Sequence, residues 1–359
     1  MSLTRFLVAW RTTPLHDREV IDALVDPVHA APSADLAGAL REWPGSYYWS
    51  SEPDGRHLVL TRPTSKPRET WTIHVVLFLA TLFTTTMSGA IIAGQLQPTL
   101  ELLFNPATWD LAFFRAMEKG LAFSVPLLAI LLCHELGHYL TARHYQLNVS
   151  PPFFLPGPPV FFIGTFGAFI RLRTVLADRR QLLDVGAAGP LAGFVVAVPV
   201  LWYGLAHSQV LDSSSASMSV AMGWFLGDSL ISLLLRHLTG TAEGAVVLHP
   251  SAVAGWLGML VTMLNLLPIA QLDGGHILYA GAPRAQRWVA RAIWVVIILL
   301  GYYSRMWLLW GIIVLLLSRG QLGHPPVLDA YRPLPKSRIW LLVASAALFV
   351  LTFTPVPSR

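Results

Sequence analysis

The chain alternates long apolar runs with short polar connections, and this pattern predicts most of its elements. Apolar runs of membrane-crossing length cover Thr72–Gly94, Leu121–Ala142 and Leu182–Ala206. A further run extends from about Ala252 until Pro268 and two glycines interrupt it. Because the hydrocarbon core of a bilayer is about 30 Å thick and a helix needs roughly 20 apolar residues to cross it, each run is predicted to span a membrane.

Shorter apolar runs complete the predicted membrane region. Ile293–Tyr302 and Trp307–Leu317 are predicted to form a tight helical hairpin, and Trp340–Thr354 is a last segment too short to decide whether it crosses. The polar connection 207–248 contains a candidate short helix at Met222–Leu235. The predicted fold class is therefore an all-α polytopic membrane protein with about six transmembrane helices.

An apolar but proline-rich stretch lies between the second and third predicted spans. Five prolines between residues 151 and 159 exclude a regular helix there. Irregular backbone at membrane depth is tolerated only where protein or a water-filled cavity surrounds it. We therefore predict a re-entrant loop that ends in a short strand, Phe161–Arg171.

The first 70 residues have a different pattern. The stretch "SYYWSSEPDGRHLVLTRP" predicts two strands around Pro53-Asp54-Gly55, and a helix-like pattern begins at Asp17-Arg18-Glu19. Residues 1–70 are thus predicted to form a small α+β cytoplasmic domain, followed by a membrane core over 71–320 and a C-terminal tail over 321–359. The opening apolar run "FLVAW" is too short for a signal peptide, so we expect the N-terminus to be retained.

Composition agrees with a membrane location. Hydrophobic residues make up 54% and charged residues 13% of the 359 residues, with a mean hydropathy of +0.55, which excludes an ordinary soluble globule. The net charge of +5 does not indicate nucleic-acid binding, because the basic residues cluster beside apolar segments. Cys133 is the single cysteine, so no internal disulfide is possible.

The basic residues also predict an orientation. Most arginines and lysines that flank predicted spans fall on one side, and the positive-inside rule places that side, with the N-terminus, in the cytoplasm. The opposite side holds Arg115, Lys119, Arg236 and Arg305. Only three of the 25 basic residues are lysines, a bias typical of a GC-rich genome. We therefore expect a multi-pass protein of the bacterial plasma (inner) membrane, with an organelle membrane as the alternative.

Three ionisable residues interrupt the second apolar run, in "LLCHELGHYL" at 131–140. His134 and His138 are four residues apart, so on a helix they project from one face, while Glu135 lies about 100° round from His134. Two imidazoles at this spacing can bind Zn²⁺, with the glutamate as general base. Ordinary buried polar groups are the alternative, but each costs about 3 kcal/mol in a membrane, so a functional reason is favoured.

A catalytic zinc site usually has three protein ligands, so a third ligand is expected from elsewhere. Asp273, in "NLLPIAQLDGGH", is the best candidate because it stands at the broken end of an apolar span, before two glycines. A helix-capping role for Asp273 is the alternative. His276 is a rival ligand, and His144 is another, although it lies nearly two turns beyond His138.

Two motifs together resemble the site-2 protease family of intramembrane zinc metalloproteases. "HELGH" at 134–138 and "NLLPIAQLDG" at 265–274 match the family's His-Glu-x-x-His in one transmembrane helix and its Asn-x-x-Pro-x-x-x-Leu-Asp-Gly in a later one. The likeness covers roughly residues 72–300. It implies that His134, His138 and Asp273 bind zinc. It also implies that Glu135 is the catalytic base and that Asn265 lies at the carbonyl of the substrate.

The resemblance extends to two further stretches. "GTFGAFI" corresponds to the family's membrane-embedded strand region beside the cleft. An unwound substrate would add to this segment as a strand, and the residues predicted to contact it are Gly164, Thr165, Phe166 and Gly167. The alternative is that the segment merely plugs the cavity. "GAAGPLAG" at 186–193 looks like the small-residue stretch of the following core helix, for which close helix packing is the expected role.

These features predict hydrolysis of a peptide bond in or near a transmembrane segment. The expected partners are the lipid bilayer and, as substrate, a single-pass membrane protein or a signal-peptide remnant. The alternatives are a membrane protein that binds metal for transport or sensing, and an inactive relative that serves as a scaffold. Intact motifs disfavour the inactive relative. Transport is disfavoured by the scattered positions of the remaining histidines, namely His74, His207, His249 and His324.

Overall fold

A computed structural model describes residues 3–357, apart from 15–17, 30–32, 44, 64–68, 100, 102–104, 106–107, 146, 160–162, 174–175, 177, 212–225, 243–244, 326 and 328–332. The described residues are mostly helical and divide into two compact units. The first unit comprises Met1–Thr70, Ala142–Ser150 and Arg171–Leu176. The second comprises Trp71–Thr141, Pro151–Ile170 and Ala177–Arg359.

The first unit contains a four-stranded antiparallel sheet with the order β1-β2-β4-β3. Its strands are β1 (Leu7–Pro14), β2 (Arg18–Val25), β3 (Tyr47–Glu52) and β4 (Gly55–Pro63). The strand pair predicted around Pro53-Asp54-Gly55 is confirmed as the β3-β4 hairpin, in which Glu52 pairs with Gly55. A small apolar core, which includes Leu36 and Leu58, stabilises this unit.

The prediction of a helix that begins at Asp17-Arg18-Glu19 is wrong. Asp17 lies outside the described residues, and the next two residues begin β2, since the β-branched Val20 and Ile21 favour a strand. A described α-helix of the N-terminal region is α1 (Ala34–Arg41). It begins after Ser33, whose side chain accepts a hydrogen bond from the Leu36 N–H at 3.2 Å, an ordinary N-terminal cap.

Within the described part of the chain, three helices are long and apolar enough to cross a membrane. They are α2 (Trp71–Ile92), α3 (Leu111–His144) and α4 (Arg179–Ala206). They confirm the positions of the first three predicted spans, although α3 begins well before the predicted start at Leu121. Helix α4 begins directly after Asp178, whose carboxylate accepts a hydrogen bond from the Gln181 N–H at 2.9 Å.

The other helices of the second unit are shorter. They are α5 (Leu230–Leu238), α6 (Pro250–Asn265), α7 (Asp273–Gly281), α8 (Pro283–Leu300), α9 (Arg305–Leu317) and α10 (Ile339–Thr352). Helices α8 and α9 form the predicted hairpin, with its turn at 301–304. Helix α6 has 16 residues, so it is about 24 Å long, less than the thickness of a hydrocarbon core. The count of about six spans is therefore not confirmed.

The helix predicted at Met222–Leu235 is displaced along the chain. Its first part, 222–225, lies outside the described residues, and the described helix α5 begins at Leu230. Ser229 and Ser232 set this start because their side chains and backbone amides form a reciprocal capping box.

A two-stranded antiparallel sheet lies between α3 and α4 in the chain. It pairs β5 (Phe153–Pro156) with β6 (Thr165–Phe169). The strand predicted at Phe161–Arg171 is thus shorter than expected; its first residues, 161 and 162, lie outside the described part of the chain. Strand β5 was not predicted, because the prolines before it and at its last residue, Pro156, indicate irregular structure. A further short pair joins β7 (Gln209–Leu211) to β8 (Ala245–Val247).

Small residues bring α4 and α6 together at the centre of the second unit. A Cβ on Gly204 would lie 2.1 Å from the backbone nitrogen of Ala252, and one on Gly255 would lie 2.6 Å from the Cα of Leu201. Only glycine permits such close approach of two helix backbones. This contact fixes α6, and hence the broken segment that follows it, against α4.

Candidate metal centre

His134 and His138 lie on one face of α3, within its last three turns. Their Nε2 atoms are 3.1 Å apart, and the two residues are 5% and 7% exposed. The four-residue spacing places the rings a single helical turn apart, as the sequence predicts. Two imidazole nitrogens therefore face the same small volume inside the protein.

Asp273 approaches the two histidines from a different helix. Its Oδ2 lies 3.3 Å from the Nε2 of His134 and 3.4 Å from the Nε2 of His138. The residue is the first of α7, so its position depends on the turn 266–272 that follows α6. Within the described residues, these three side chains form a cluster whose donor atoms all lie within 4.8 Å of one another; both histidines are buried and Asp273 is partly buried.

The spacing of these donor atoms fits a tetrahedral metal ion. A zinc ion with bonds of about 2.0–2.1 Å holds its donor atoms about 3.3 Å apart. The three observed separations are 3.1, 3.3 and 3.4 Å. Two imidazole nitrogens and one carboxylate oxygen are also a donor set typical of catalytic zinc, which leaves a fourth position for water. The residues present therefore fit the ion that the motifs imply.

The backbone of the turn before Asp273 is held in an unusual conformation. Ala270 has a φ of +49°, a left-handed conformation that costs about 1–3 kcal/mol for a residue other than glycine. Gly274 and Gly275 allow the turn to fold back on α7, because a Cβ on Gly274 would lie 1.9 Å from the carbonyl oxygen of Leu266. Packing and hydrogen bonds around this turn must offset the strain.

The carbonyl oxygen of Val185 orients the second histidine. It accepts a hydrogen bond from the Nδ1–H of His138 at 2.8 Å. This bond fixes the tautomer, so the unprotonated Nε2 faces His134 and Asp273. Sequence reasoning missed this contact, because a backbone carbonyl leaves no signal in the residue type.

The glycines of "GAAGPLAG" make room for the histidine rings. A Cβ on Gly189 would lie 2.0 Å from the Nε2 of His138, and one on Gly193 would lie 3.2 Å from the Cβ of His134. Conversely, a Cβ on Gly137 would lie 2.4 Å from the carbonyl oxygen of Ala188. Helix packing alone is therefore an incomplete interpretation of this stretch, since it also shapes the space around the candidate ligands.

Glu135 lies beside the donor cluster without belonging to it. The residue is 7% exposed, and the backbone amide of Ile170 lies near its carboxylate. Ile170 follows β6 directly, so the strand and the candidate general base are adjacent. This position suits a base that takes a proton from water rather than a fourth ligand.

Asn265, the last residue of α6, also lies beside the candidate metal centre. Its Nδ2 lies 3.3 Å from the Nε2 of His134.

The two rival ligands make other contacts. A ring nitrogen of His276 lies 2.7 Å from a ring nitrogen of His324, and the ring of His144 packs edge-on against Tyr145. Neither rival joins the buried donor cluster of the described residues. The roles assigned to these residues from the sequence remain predictions.

The four residues predicted to contact a substrate lie on and just before β6. Gly164 has a φ of +82°, and its carbonyl oxygen accepts a hydrogen bond from Thr84 at 2.7 Å. Thr165 is buried, and its hydroxyl donates to the Leu155 carbonyl. Phe166 is 63% exposed. Gly167 has a φ of +100°, and no atom lies within 4 Å of the place a Cβ would take.

A second acidic cluster, in the first unit, needs no metal to explain it. Asp22, Glu52 and His57 bring ligand atoms close together. Both ring nitrogens of His57 already contact carboxylates, Asp22 at 2.8 Å and Asp54 at 3.1 Å. These hydrogen bonds raise the pKa of His57, with Asp22 the larger cause, partly opposed by burial. Contacts between the imidazole and two carboxylates account for the arrangement.

Long apolar helices and a buried His-His-Asp cluster beside a glutamate define a helical membrane protein with a metallohydrolase-type centre. Residues 122–302 match the model of Peptidase family M50. The chain belongs to this family, which is the site-2 protease family recognised from the two motifs.

Curated relatives agree with this assignment. The chain is 30% identical to "Probable zinc metalloprotease EGY1, chloroplastic" of Oryza sativa subsp. japonica, over 83% of this chain and 53% of the relative. It is 30% identical to the EGY1 protein of Arabidopsis thaliana, over 83% of this chain and 56% of the relative. The chain thus spans about half the length of the curated relatives it matches. No solved structure matches it.

Proposed function

We propose that this chain is an intramembrane zinc metalloendopeptidase that hydrolyses a peptide bond in or near a transmembrane segment of a membrane protein. One observation carries the proposal: the donor atoms of His134, His138 and Asp273 lie 3.1–3.4 Å apart inside the protein, as a tetrahedral ion requires. The names of the plant relatives and the M50 family support zinc as that ion.

The side chains around the cluster have complementary roles in this proposal. When bound, zinc supplies Lewis-acid chemistry that activates water and polarises the scissile carbonyl. Glu135 takes a proton from the attacking water and later delivers it to the leaving amine. Asn265 donates a hydrogen bond to the developing oxyanion, a role supported by its Nδ2 lying 3.3 Å from the Nε2 of His134.

The substrate proposed is a single-pass membrane protein or a signal-peptide remnant. A transmembrane helix shields its peptide bonds with its own hydrogen bonds, so it must unwind before attack. Strand β6 belongs to a two-stranded sheet, and an unwound substrate would add to that sheet as a further strand. The adjacency of Ile170 and Glu135 supports this arrangement, because a strand bound there would run beside the candidate base.

We also propose a membrane arrangement. The three long helices, the broken α6-α7 segment and the α8-α9 hairpin together give about six crossings. The asymmetry of arginine and lysine supports a cytoplasmic N-terminus, and the arginine bias favours a bacterial plasma (inner) membrane. Cysteine-accessibility labelling from each side of sealed cells tests this topology, and labelling of the N-terminus from outside would contradict it.

Replacing Glu135 with Gln distinguishes the protease from its alternatives. The variant keeps the shape of the site and both histidines but lacks the base. A protease should retain zinc and lose cleavage of co-expressed membrane proteins, whereas a metal transporter should retain its flux. Undiminished cleavage by the Glu135→Gln variant would overturn the proposal. Membrane proteins that accumulate uncleaved with this variant are candidate substrates.

A further inference from the structure

The short segment 321–324, which follows α9 and the turn 318–320, is hydrogen-bonded to the turn that carries Asp273. The carbonyl oxygen of Leu322 accepts a hydrogen bond from the N–H of Ala270 at 2.8 Å. Ala270 is 6% exposed and has the left-handed φ of +49° described above. A buried amide needs a partner, so this bond stabilises the strained residue three positions before Asp273.

His324 connects the same segment to the other side of Asp273. Its Nδ1–H donates to the carbonyl of Pro325, which leaves Nε2 of the neutral ring as an acceptor. The Nδ1–H of His276 then donates to that Nε2, at 2.7 Å. His276 lies on α7 one turn after Asp273, so the bond holds the first turn of the helix.

Two further contacts fix His324 itself. Its backbone N–H donates to the Oε1 of Gln286 at 2.8 Å, and Gln286 is 1% exposed on α8. Its ring lies against Tyr279 with centroids 4.6 Å apart. His324 is therefore anchored to two helices, α7 and α8.

We propose that residues 321–324 are a positioning element of the metal centre, in which His324 fixes the start of α7 and thereby the carboxylate of Asp273. The proposal rests on the metalloprotease function proposed above. His324 itself is outside the donor cluster of the described residues and would not bind the ion. The segment also lies beyond residues 122–302, the part of the chain that matches the family, and in the region predicted as a tail.

The test compares His324→Phe with His324→Gln in the full-length chain, purified in detergent. Phenylalanine keeps a ring against Tyr279 but removes the acceptor, whereas glutamine keeps an acceptor near the position of Nε2. His207→Phe is the matched control, because His207 caps the far end of α4, where its Nδ1–H donates to the Tyr203 carbonyl one turn earlier, at 2.8 Å. The readouts are zinc affinity by chelator competition and the visible spectrum of bound Co²⁺.

We expect His324→Phe to weaken zinc binding about 10- to 100-fold, as other substitutions around metal ligands do. It should also alter the Co²⁺ spectrum, while His324→Gln and His207→Phe stay near wild type. If His324→Phe does not fold, Gln286→Leu removes the acceptor of the His324 N–H and should weaken zinc binding in the same direction. Wild-type zinc affinity in the folded variants, or equal losses in His324→Phe and His207→Phe, would overturn the positioning role alone. A wild-type chain that binds no zinc would overturn the proposed function as well.

Discussion

Replacing Gly189 with alanine would place a methyl group inside the space of the His138 imidazole. The new Cβ would lie 2.0 Å from Nε2, whereas an ordinary Cβ contact is 3.4 Å or more. The ring would therefore have to retreat by about 1.4 Å, the difference between these distances. Zinc sites tolerate deviations of about 0.2 Å in ligand distance. The Nε2 of His138 could therefore no longer bind zinc unless the other ligands moved with the ring.

The expected loss is large. A misplacement of about 1 Å in a catalytic group costs about 100-fold in rate, which corresponds to about 2.7 kcal/mol. We expect a similar loss of activity for Gly189→Ala, with zinc binding weakened about 10- to 100-fold. Chelator competition on the purified chain measures the affinity, and circular dichroism reports whether the helices are retained.

Two other glycines provide matched controls. Gly193→Ala should have a smaller effect, because its Cβ would lie 3.2 Å from the Cβ of His134 and a shift of a few tenths of an ångström relieves the contact. Gly38→Ala should have none, since no atom lies within 4 Å of its Cβ position. Wild-type zinc affinity in folded Gly189→Ala, or equal losses in the three variants, would show that Gly189 does not make room for the His138 ring.

Further predictions concern Asn265, strand β6 and the first unit. Asn265→Ala should lower kcat about 100- to 1,000-fold if its amide stabilises the oxyanion, and a loss confined to KM would argue against that role. Phe166→Ala should raise KM without altering zinc affinity, because the side chain is 63% exposed on β6; reduced zinc content would contradict this. The raised pKa of His57 stabilises the first unit below the unfolded-state pKa of about 6.5, and this contribution is lost as pH rises through the folded-state pKa. Backbone hydrogen exchange of β2 and β4 in the full chain, corrected for intrinsic rates, should therefore become faster at high pH. The His57→Gln variant should lack this pH dependence.

The sequence predicted the parts of the protein that have strong local patterns. Long apolar runs located α2, α3 and α4, and the Pro53-Asp54-Gly55 turn located the β3-β4 hairpin. The i,i+4 spacing of His134 and His138 placed two imidazoles on one helix face, which the structure shows with Nε2 atoms 3.1 Å apart. These features depend on periodicity and turn chemistry within a short stretch of chain.

Other features depend on contacts between distant residues. Arg18 and Glu19 resembled a helix start, but pairing with β1 and β4 makes them part of a strand. The bond from His138 to the Val185 carbonyl and the bond from Ala270 to the Leu322 carbonyl use backbone atoms, which any residue supplies. Their positions follow from tertiary packing, so no residue pattern indicates them.

The most direct test of the metal centre is zinc K-edge X-ray absorption on the purified chain, together with its metal content. We predict one zinc ion per chain, with two imidazole nitrogens and a carboxylate oxygen at about 2.0–2.2 Å. Asp273→Ala should remove the carboxylate oxygen and most of the bound zinc. A chain without zinc, or a zinc spectrum unchanged by Asp273→Ala, would show that these three side chains do not hold a zinc ion.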